Sequence, residues 1–451
     1  MKKRKILKIF KIGIILLPFL IMAALLNCNL DRDITEDPVL IGKEAKWLKY
    51  NAVKVSQIWP KYTDFSDLQP LKTAISNARI VMLGEQTHGD GTTFLAKVRL
   101  IKFLHQEMGF DVVAFESGLF DCHRVWLDIL NGEDPVYASQ KGIFSLWSRC
   151  REVDPLFEYI GSVSHGPNCL EIAGFDSQFS GAVPGFNSII YLVDDLEHFL
   201  SQNNAQIVNH NDWSIFKDML QFFIENQAGH VPDENSQALF YNMLGAIQDE
   251  IGTFETRLKP LLQSSAFWQQ MVKSIRENAK SKWYTDPESR DLNLRDAQMA
   301  DNFLWLYRNV YKDRKMIVWA ATAHIQRNIH EIIEYYGYYI GWVPMGEIAW
   351  QTLENDIYSI GFTGYEGTFL NLRLGEIEIV PPSSKGSLEY FMNEAGFDFG
   401  LIDFRHLTDD GAWLKNRLLS RPLANVEMEA NWTNVLDAMF FIRNMKHSTL
   451  Y

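Results

Sequence analysis

Residues 78–89 read Ala-Arg-Ile-Val-Met-Leu-Gly-Glu-Gln-Thr-His-Gly, and this stretch decides the fold. Its first six residues form a nearly continuous apolar run that ends at Gly84, which is typical of a strand buried on both faces. Apolar residues then recur at helical spacing as far as Leu104, so a helix is expected to follow the strand. The turn between them carries two groups that can exchange protons, Glu85 and His88.

Four further apolar runs repeat this pattern along the chain. They cover residues 112–115, 171–175, 315–320 and 358–362. Strands that alternate with helical patterns predict an α/β protein with a mostly parallel sheet flanked by helices. Between about Phe186 and Tyr311 the strand signal disappears and helical spacing takes its place, which predicts a helical insertion between two strands.

These patterns divide the chain into five segments. They are a signal peptide at 1–27, a lead-in segment at 28–70, the first part of the α/β domain at 71–185, the helical insertion at 186–311, and the second part of the domain with C-terminal elements at 312–451. The lead-in is expected to contain one helix around 42–58. A further strand is expected at 397–404 and a closing helix at 433–446.

The N-terminus has the pattern of an exported bacterial lipoprotein. Its first eleven residues hold six basic residues and no acidic one, and Ile12 to Leu26 is a stretch without charge. A basic start before a short apolar stretch is typical of an export signal, and Leu25-Leu26-Asn27-Cys28 resembles a lipobox. The sequence therefore predicts a protein of the cell envelope, anchored to the membrane through a lipid on Cys28. The alternative is an uncleaved signal anchor.

Composition excludes several classes of protein. The 451 residues carry 43 Lys+Arg against 56 Asp+Glu, a formal charge of −13, which argues against a nucleic-acid partner. Four cysteines exclude a disulfide scaffold. The sequence contains no Gly-x-Ser-x-Gly, no His-Glu-x-x-His and no Gly-x-x-x-x-Gly-Lys motif, so a serine hydrolase of the usual α/β kind is not expected.

Acids and histidines stand at the carboxyl ends of the predicted strands. Glu85 and His88 follow the first strand, Glu116 ends the second, Asp176 ends the third, and His324 follows the fourth. Ligands of parallel sheets bind at this edge, so the five side chains are expected to converge there. A neutral imidazole can take a proton from water near pH 7, and a carboxylate behind it raises its basicity. Singly, each acid could instead cap a helix and His324 could be a core histidine.

The segment Gly84-Glu85-x-Thr87-His88-Gly89 resembles the hallmark motif of the erythromycin esterase family. The strand-ending Glu116, the segment 318–324 with its histidine, and the helix Arg295-Asp296-x-x-Met299-Ala300-x-Asn302 are similar to other elements of that family. The resemblance covers roughly residues 75–370, which is most of the chain.

This resemblance implies a hydrolase that cleaves an ester or lactone in a small-molecule substrate, without a required metal or other cofactor. His88 would be the base that activates water, and Glu85 and Glu116 would orient His88 or the water. His324 would complete the site, either as a second proton carrier or by polarising the carbonyl.

The resemblance also implies residues that bind substrate. The family has a basic residue, commonly arginine, on the helix after the first motif. This sequence has Lys97 there, with Arg99 two residues further on. We expect both, together with Asp176, to contact the substrate.

Two alternatives use the same residues differently. Glu85, His88, Glu116 and His324 would make a reasonable ligand set for zinc or manganese in a metal-dependent hydrolase or peptidase, and more distant relatives such as the TraB/TIKI peptidases resemble this case. The other alternative is a non-catalytic envelope lipoprotein that binds a ligand such as haem or iron. The chain has no Cys-x-x-Cys-His motif for attaching haem.

Overall fold

The computed structural model describes residues 38–181, 191–226, 230–283, 292–332 and 341–451. The predicted signal peptide and Cys28 lie outside these ranges. Within them, no helix combines the length and the apolar character that crossing a membrane would require.

The strands of the described residues form one nine-stranded sheet and one small two-stranded sheet. They are β1 (Val53–Val55), β2 (Ile80–Glu85), β3 (Val112–Gly118), β4 (Glu171–Asp176), β5 (Met316–Ala321), β6 (Ile357–Asn371), β7 (Glu376–Val380), β8 (Phe399–Asp403), β9 (Leu418–Ser420), β10 (Met428–Ala430) and β11 (Ala438–Met445). The large sheet has the spatial order β1-β8-β11-β6-β2-β5-β3-β4, with β7 beside β6. Strands β9 and β10 form the small sheet.

Six neighbouring strands of the large sheet are parallel: β11, β6, β2, β5, β3 and β4. Strands β1, β7 and β8 pair antiparallel at its margins. The mostly parallel α/β architecture is therefore confirmed. Strand β5 enters the sheet between β2 and β3, although it follows them by about two hundred residues in the chain. This crossover makes the carboxyl ends of β2, β5 and β3 immediate neighbours.

Helices cover both faces of the sheet. They are α1 (Pro38–Asn51), α2 (Pro70–Ile75), α3 (Gly91–Met108), α4 (Leu119–Leu130), α5 (Pro135–Gly142), α6 (Ser145–Ser148), α7 (Asp154–Val163), α8 (Tyr191–Gln202), α9 (Trp213–Glu225), α10 (Glu234–Ile251), α11 (Ser265–Trp283), α12 (Leu292–Trp305), α13 (Thr322–Ile325), α14 (Met345–Leu353), α15 (Leu388–Glu394) and α16 (Trp432–Val435). A π-helical turn, Leu306–Val310, continues α12. In the described part of the segment 186–311, the regular elements are all helical.

The core lies on both sides of the central strands, because alternate residues of a strand point to opposite faces. Met82 and Val318 belong to a core that includes the helices of the insertion. Leu83 and Trp319 belong to a second core, on the side of α3. Every residue of β2 and β5 is buried, which is why their sequences are apolar without alternation.

The prediction of a closing helix at 433–446 is wrong. The chain forms only the short helix α16 there and then continues as β11. Residues 438–442 are buried because β11 lies between β6 and β8. The lead-in also differs from expectation, since its helix ends at Asn51 and residues 53–55 then pair with β8. The strand expected at 397–404 is present as β8.

Candidate active site

The carboxyl edge of the parallel strands carries the acids and histidines expected there. Glu85 is the last residue of β2, and His88 lies in the turn before α3. Glu116 lies near the end of β3, and Asp176 is the last residue of β4. His324 lies in α13, directly after β5. The crossover of β5 thus places His324 beside Glu116 of β3.

Glu85 holds His88 in one orientation. The His88 Nδ1 atom lies 3.1 Å from Glu85 Oε1, and the indole Nε1 of Trp147 donates to the same oxygen at 2.9 Å. Because a carboxylate accepts hydrogen bonds, the neutral imidazole carries its proton on Nδ1. Within the described residues no hydrogen bond involves His88 Nε2, and the side chain is 19% exposed. This nitrogen therefore has a lone pair that can accept a proton.

Lys97 is the counter-ion of Glu85. Its side chain is completely buried, its Nζ donates to Glu85 Oε2 and, at 3.3 Å, to the carbonyl of Ala320, and it lies 4.1 Å from the centre of the Trp319 ring. Burial lowers the pKa of Lys97 to about 8, against the opposing attraction of Glu85 and Glu116. An ammonium so enclosed does not reach substrate, so the expectation of substrate contact is corrected.

Arg99 does not belong to the cluster. Its guanidinium donates to Asp67 at 2.7 and 3.1 Å and to the backbone carbonyls of Gln57 and Asp64. Residues two positions apart on an α helix point about 200° away from each other, so Lys97 and Arg99 cannot face the same site. The expected substrate contact of Arg99 is therefore wrong.

Arg295, from helix α12, joins two of the strand-end acids. Its Nη2 donates to Glu116 Oε1 at 2.8 Å and to Asp176 Oδ2 at 2.6 Å, and its Nε lies 3.2 Å from that same Asp176 oxygen. Asp176 is fully buried and bound to Arg295, so it positions the guanidinium. The expectation that Asp176 contacts the substrate is therefore corrected. The Arg295 side chain is 14% exposed.

His324 is paired with a second buried acid. Its Nδ1 lies 2.8 Å from Asp296 Oδ1, and its Nε2 lies 3.2 Å from Arg295 Nη1 and 3.3 Å from Glu116 Oε1. Asp296 also accepts hydrogen bonds from the Trp342 indole at 3.1 Å and from the Met345 backbone N–H at 2.9 Å. Burial and the neighbouring charge of Arg295 lower the pKa of His324, but the attraction of Asp296 and Glu116 outweighs them, and the net pKa is raised.

Glu116 is ionised at neutral pH. Burial raises the pKa of Glu116, but the nearby charges of His324, Arg295 and His88 lower it by more than burial raises it. The resulting pKa is about 2. The backbone N–H of Ala321 also donates to Glu116 Oε2 at 3.0 Å. An ionised Glu116 holds Arg295 and His324 beside each other.

Four residues of the cluster have no role predicted from the sequence: Arg295, Asp296, Trp147 and Trp342. The first two were visible as part of the family-like helix, and their adjacent opposite charges were the available signal. The two tryptophans had no such signal, because each acts through an indole N–H that contacts an acid distant in sequence.

Two of the residues proposed as metal ligands are paired with cations of the protein itself. Lys97 neutralises Glu85, and Arg295 neutralises Glu116. The negative charge of these two carboxylates, which a zinc or manganese ion would otherwise balance, is thus balanced by Lys97 and Arg295. Across the described ranges, no group of three or more His, Cys, Asp or Glu residues is arranged to hold a metal ion.

The chain is similar to two known proteins whose names describe hydrolases. The chain is 27% identical over 357 residues to the putative hydrolase YbfO of Bacillus subtilis, covering 75% of this chain and 77% of that protein. It is 22% identical over 414 residues to erythromycin esterase type II of Escherichia coli, covering 84% of this chain and 92% of that one.

The family and the fold follow from two further comparisons. The model of the family named erythromycin esterase matches residues 105–445, so the protein is a hydrolase by class and the chain belongs to the erythromycin esterase family. A solved structure of a mutant of the erythromycin esterase EreC, in its open conformation, has the same fold. Its TM-score is 0.61 at 18% identity, and the match covers 89% of this chain and 98% of that one.

Proposed function

We propose that this hydrolase cleaves an ester or lactone in a small-molecule substrate with a water molecule that His88 activates, and that it needs no metal. The observation that carries the proposal is the pair Glu85–His88. The Nδ1 atom of His88 is bound to the carboxylate, and its Nε2 atom is left to accept a proton. This is the arrangement of a general base oriented by an acid.

The reaction can be written with the groups on this edge. Water loses a proton to His88 Nε2 while its oxygen attacks the carbonyl carbon. The guanidinium of Arg295, the most exposed cation of the cluster, stabilises the negative charge that forms on the carbonyl oxygen. The C–O bond then breaks, and the leaving oxygen takes a proton from the imidazolium of His324. The products are a carboxylic acid and an alcohol, and exchange with solvent then removes the proton from His88 and returns one to His324.

His324 suits the role of the acid. Its raised pKa favours the imidazolium, and Asp296 and Glu116 stabilise that form. The two histidines thus have different environments: His88 has one nitrogen without a hydrogen bond among the described residues, whereas His324 contacts Asp296 through Nδ1 and both Glu116 and Arg295 through Nε2. Environments that separate two titrating groups are typical of an acid and base pair.

The test is a panel of small esters and lactones, assayed with and without a chelator on protein whose metal content has been measured. The proposal expects activity that is indifferent to chelator and requires no stoichiometric metal. Bound zinc or manganese with activity lost on chelation would instead make Glu85, His88, Glu116 and His324 metal ligands. The variant His88→Ala should abolish hydrolysis and leave the fold intact.

The matched control for that variant is His406→Ala, because His406 forms a similar pair with Asp403 at the end of β8, outside the cluster. His406 Nδ1 lies 2.6 Å from Asp403, three residues before it, as Glu85 precedes His88 by three. His406→Ala removes the same kind of pair from an exposed position. It should leave turnover unchanged, so loss of activity in both variants would contradict the assignment of His88.

We also propose that the protein is exported and anchored in the cell envelope through lipidated Cys28. The basic start and the lipobox-like Leu25-Leu26-Asn27-Cys28 support this proposal. Labelling with a radioactive fatty acid should mark the protein that keeps Cys28 and not the variant Cys28→Ser. Equal labelling of the two would contradict it.

A further inference from the structure

Trp147 contacts both members of the proposed base pair. It lies in α6 and is 1% exposed. Its Nε1 donates to Glu85 Oε1 at 2.9 Å, the oxygen that also lies 3.1 Å from His88 Nδ1. The edge of its ring meets the ring of His88, with 5.5 Å between centroids and 83° between planes. Among the described residues, no other aromatic side chain makes both of these contacts.

The indole N–H fixes the orientation of the Glu85 carboxylate. Rotation about the terminal bond of a glutamate is soft, so a carboxylate with one partner turns easily. Here Oε2 is bound to Lys97, and Oε1 receives Trp147 and His88 together. Three donors therefore determine the plane of the carboxylate, and that plane determines which nitrogen of His88 carries the proton.

Residues 446–451 hold the Trp147 segment against the turn that carries His88. They form backbone hydrogen bonds to residues 89–92 on one side and to residues 149–151 on the other. The bonds are Thr92 N to Lys446 O (3.2 Å), Ser448 N to Gly89 O (2.8 Å), Arg151 N to Thr449 O (3.0 Å) and Tyr451 N to Arg149 O (3.3 Å). Two separate segments are thus fixed to one extended stretch of backbone, with Trp147 beside one and His88 beside the other.

We propose that Trp147 is a positioning residue of the hydrolytic site, which fixes the tautomer and orientation of His88 through the Glu85 carboxylate. This inference rests on the proposed function, because it assigns the base to His88. Trp147 itself does not touch the reacting atoms.

The test compares Trp147→Phe with Trp432→Phe. Both tryptophans are 1% exposed, and each donates one hydrogen bond, Trp432 to the backbone carbonyl of Leu418 at 2.8 Å. Trp147→Phe should lower kcat about 10- to 100-fold, the worth of one hydrogen bond to a charged group, with KM nearly unchanged. Trp432→Phe should lose comparable thermal stability and keep kcat. Equal effects of the two variants on kcat would overturn the inference.

A measurement independent of turnover separates this inference from the proposed function. Nitrogen-15 NMR of the histidine side chains reports which ring nitrogen carries the proton. In the unmutated protein His88 should be the Nδ1–H tautomer, and Trp147→Phe should mix the two tautomers. An unchanged tautomer in a folded Trp147→Phe would overturn the inference even if His88 proves to be the base. A changed tautomer would support it even if no ester is hydrolysed.

A second variant covers the case in which Trp147→Phe does not fold. In His88→Ala, the Glu85 oxygen that Trp147 and His88 share is left to the indole alone. The indole proton resonance of Trp147 should therefore move downfield in that variant, because its hydrogen bond strengthens. A resonance that stays in place would show that the three groups are not coupled and would overturn the inference.

Discussion

Asp296 and His324 form a buried pair in which the Asp296 Oδ1 and His324 Nδ1 atoms lie 2.8 Å apart. The Asp296 side chain is fully buried, and the indole of Trp342 and the backbone of Met345 donate to it as well. The other nitrogen of His324 lies 3.3 Å from Glu116 Oε1 and 3.2 Å from Arg295 Nη1. An imidazolium with a carboxylate at each nitrogen is stabilised as a cation, and in this form it can donate a proton.

Asp296→Asn tests this relationship. The substitution removes one of the two charges that raise the pKa of His324, so that pKa should fall. Since the imidazolium exists below the pKa, the alkaline side of the pH profile of kcat should move to lower pH. An amide can also turn its NH2 toward Nδ1 and force the wrong tautomer, and we expect kcat to fall by about 10²–10⁴.

Asp301→Asn is the matched control for Asp296→Asn. Asp301 lies on the same helix and binds Lys273 and Gln270, away from His324. It should leave the pH profile where it is. A profile that moves in neither variant would contradict the role of His324 as the acid.

Glu116→Gln should reduce hydrolysis by about 10²–10⁴, because Glu116 orients both Arg295 and His324. It also has a consequence for stability. The pKa of Glu116 is about 2 in the folded protein against an ordinary 4.5, so its ionised form stabilises the fold above pH 4.5. That contribution is lost as the pH falls from 4.5 toward 2.

Denaturant unfolding at a series of pH values from 7 to 3 measures this contribution. The unmutated protein should lose unfolding free energy more steeply than Glu116→Gln as the pH falls. Glu171→Gln is the control for activity, because Glu171 starts β4 at the opposite end of the sheet and binds Arg314 and Tyr311 there. If Glu171→Gln abolished hydrolysis as Glu116→Gln does, the effect would not report on the site.

Much of the fold could be predicted because buried parallel strands have a recognisable sequence pattern. A strand buried on both faces has no alternation, and the runs that became β2, β3, β4 and β5 are of this kind. The same signature failed for residues 438–442. A short apolar run does not distinguish a buried strand from a buried helix, and the pairing of β11 with β6 and β8 decided it.

The candidate site could be predicted only in part, for a related reason. Residues at strand ends converge because the sheet is parallel, which placed Glu85, Glu116 and His324 correctly at one edge. Arg295 reaches the same edge from a helix, and its position depends on how α12 packs beside β4. Such packing is settled by long-range contacts, which no local pattern in the sequence records.

Lys97→Met should reduce both stability and activity. The ammonium is fully buried beside Glu85, and removing it leaves that carboxylate buried without its counter-ion. Breaking a buried pair in this way costs about 3–5 kcal/mol of unfolding free energy. The carboxylate would then have one donor fewer and would orient His88 less well, so kcat of the folded protein should also fall.

Arg99→Met provides the comparison on the same helix. Arg99 is 2% exposed and pairs with Asp67, outside the site. Its removal should also lower the unfolding free energy in urea, but kcat of the folded fraction should stay the same. If the two variants lowered kcat equally, Lys97 would act only through the general stability of α3.

Asp90→Asn should stabilise the protein above neutral pH. Asp90 is fully buried in the turn after His88, and burial raises its pKa to about 7, although hydrogen bonds from Thr87 and Asn425 oppose this. An unfolded aspartate ionises near pH 3.8, so the unfolding free energy should fall as the pH rises from about 4 to about 7. Asparagine cannot ionise, and its amide can donate to Asn425 Oδ1, which is buried and has no hydrogen-bond partner in the described structure. We expect a gain of about 1–2 kcal/mol at pH 8, measured by thermal unfolding.

Asp121→Asn should have the opposite effect at the same pH. Burial raises the pKa of Asp121 to about 7 as well, but its two oxygens accept the backbone N–H groups of Ser180 and Gly181 at 3.3 and 3.2 Å. An amide would turn an NH2 group toward one of these donors and leave it buried without an acceptor, which costs about 1–3 kcal/mol. If both variants changed the unfolding temperature at pH 8 in the same direction, the local hydrogen bonds would not explain a difference in stability between the two substitutions.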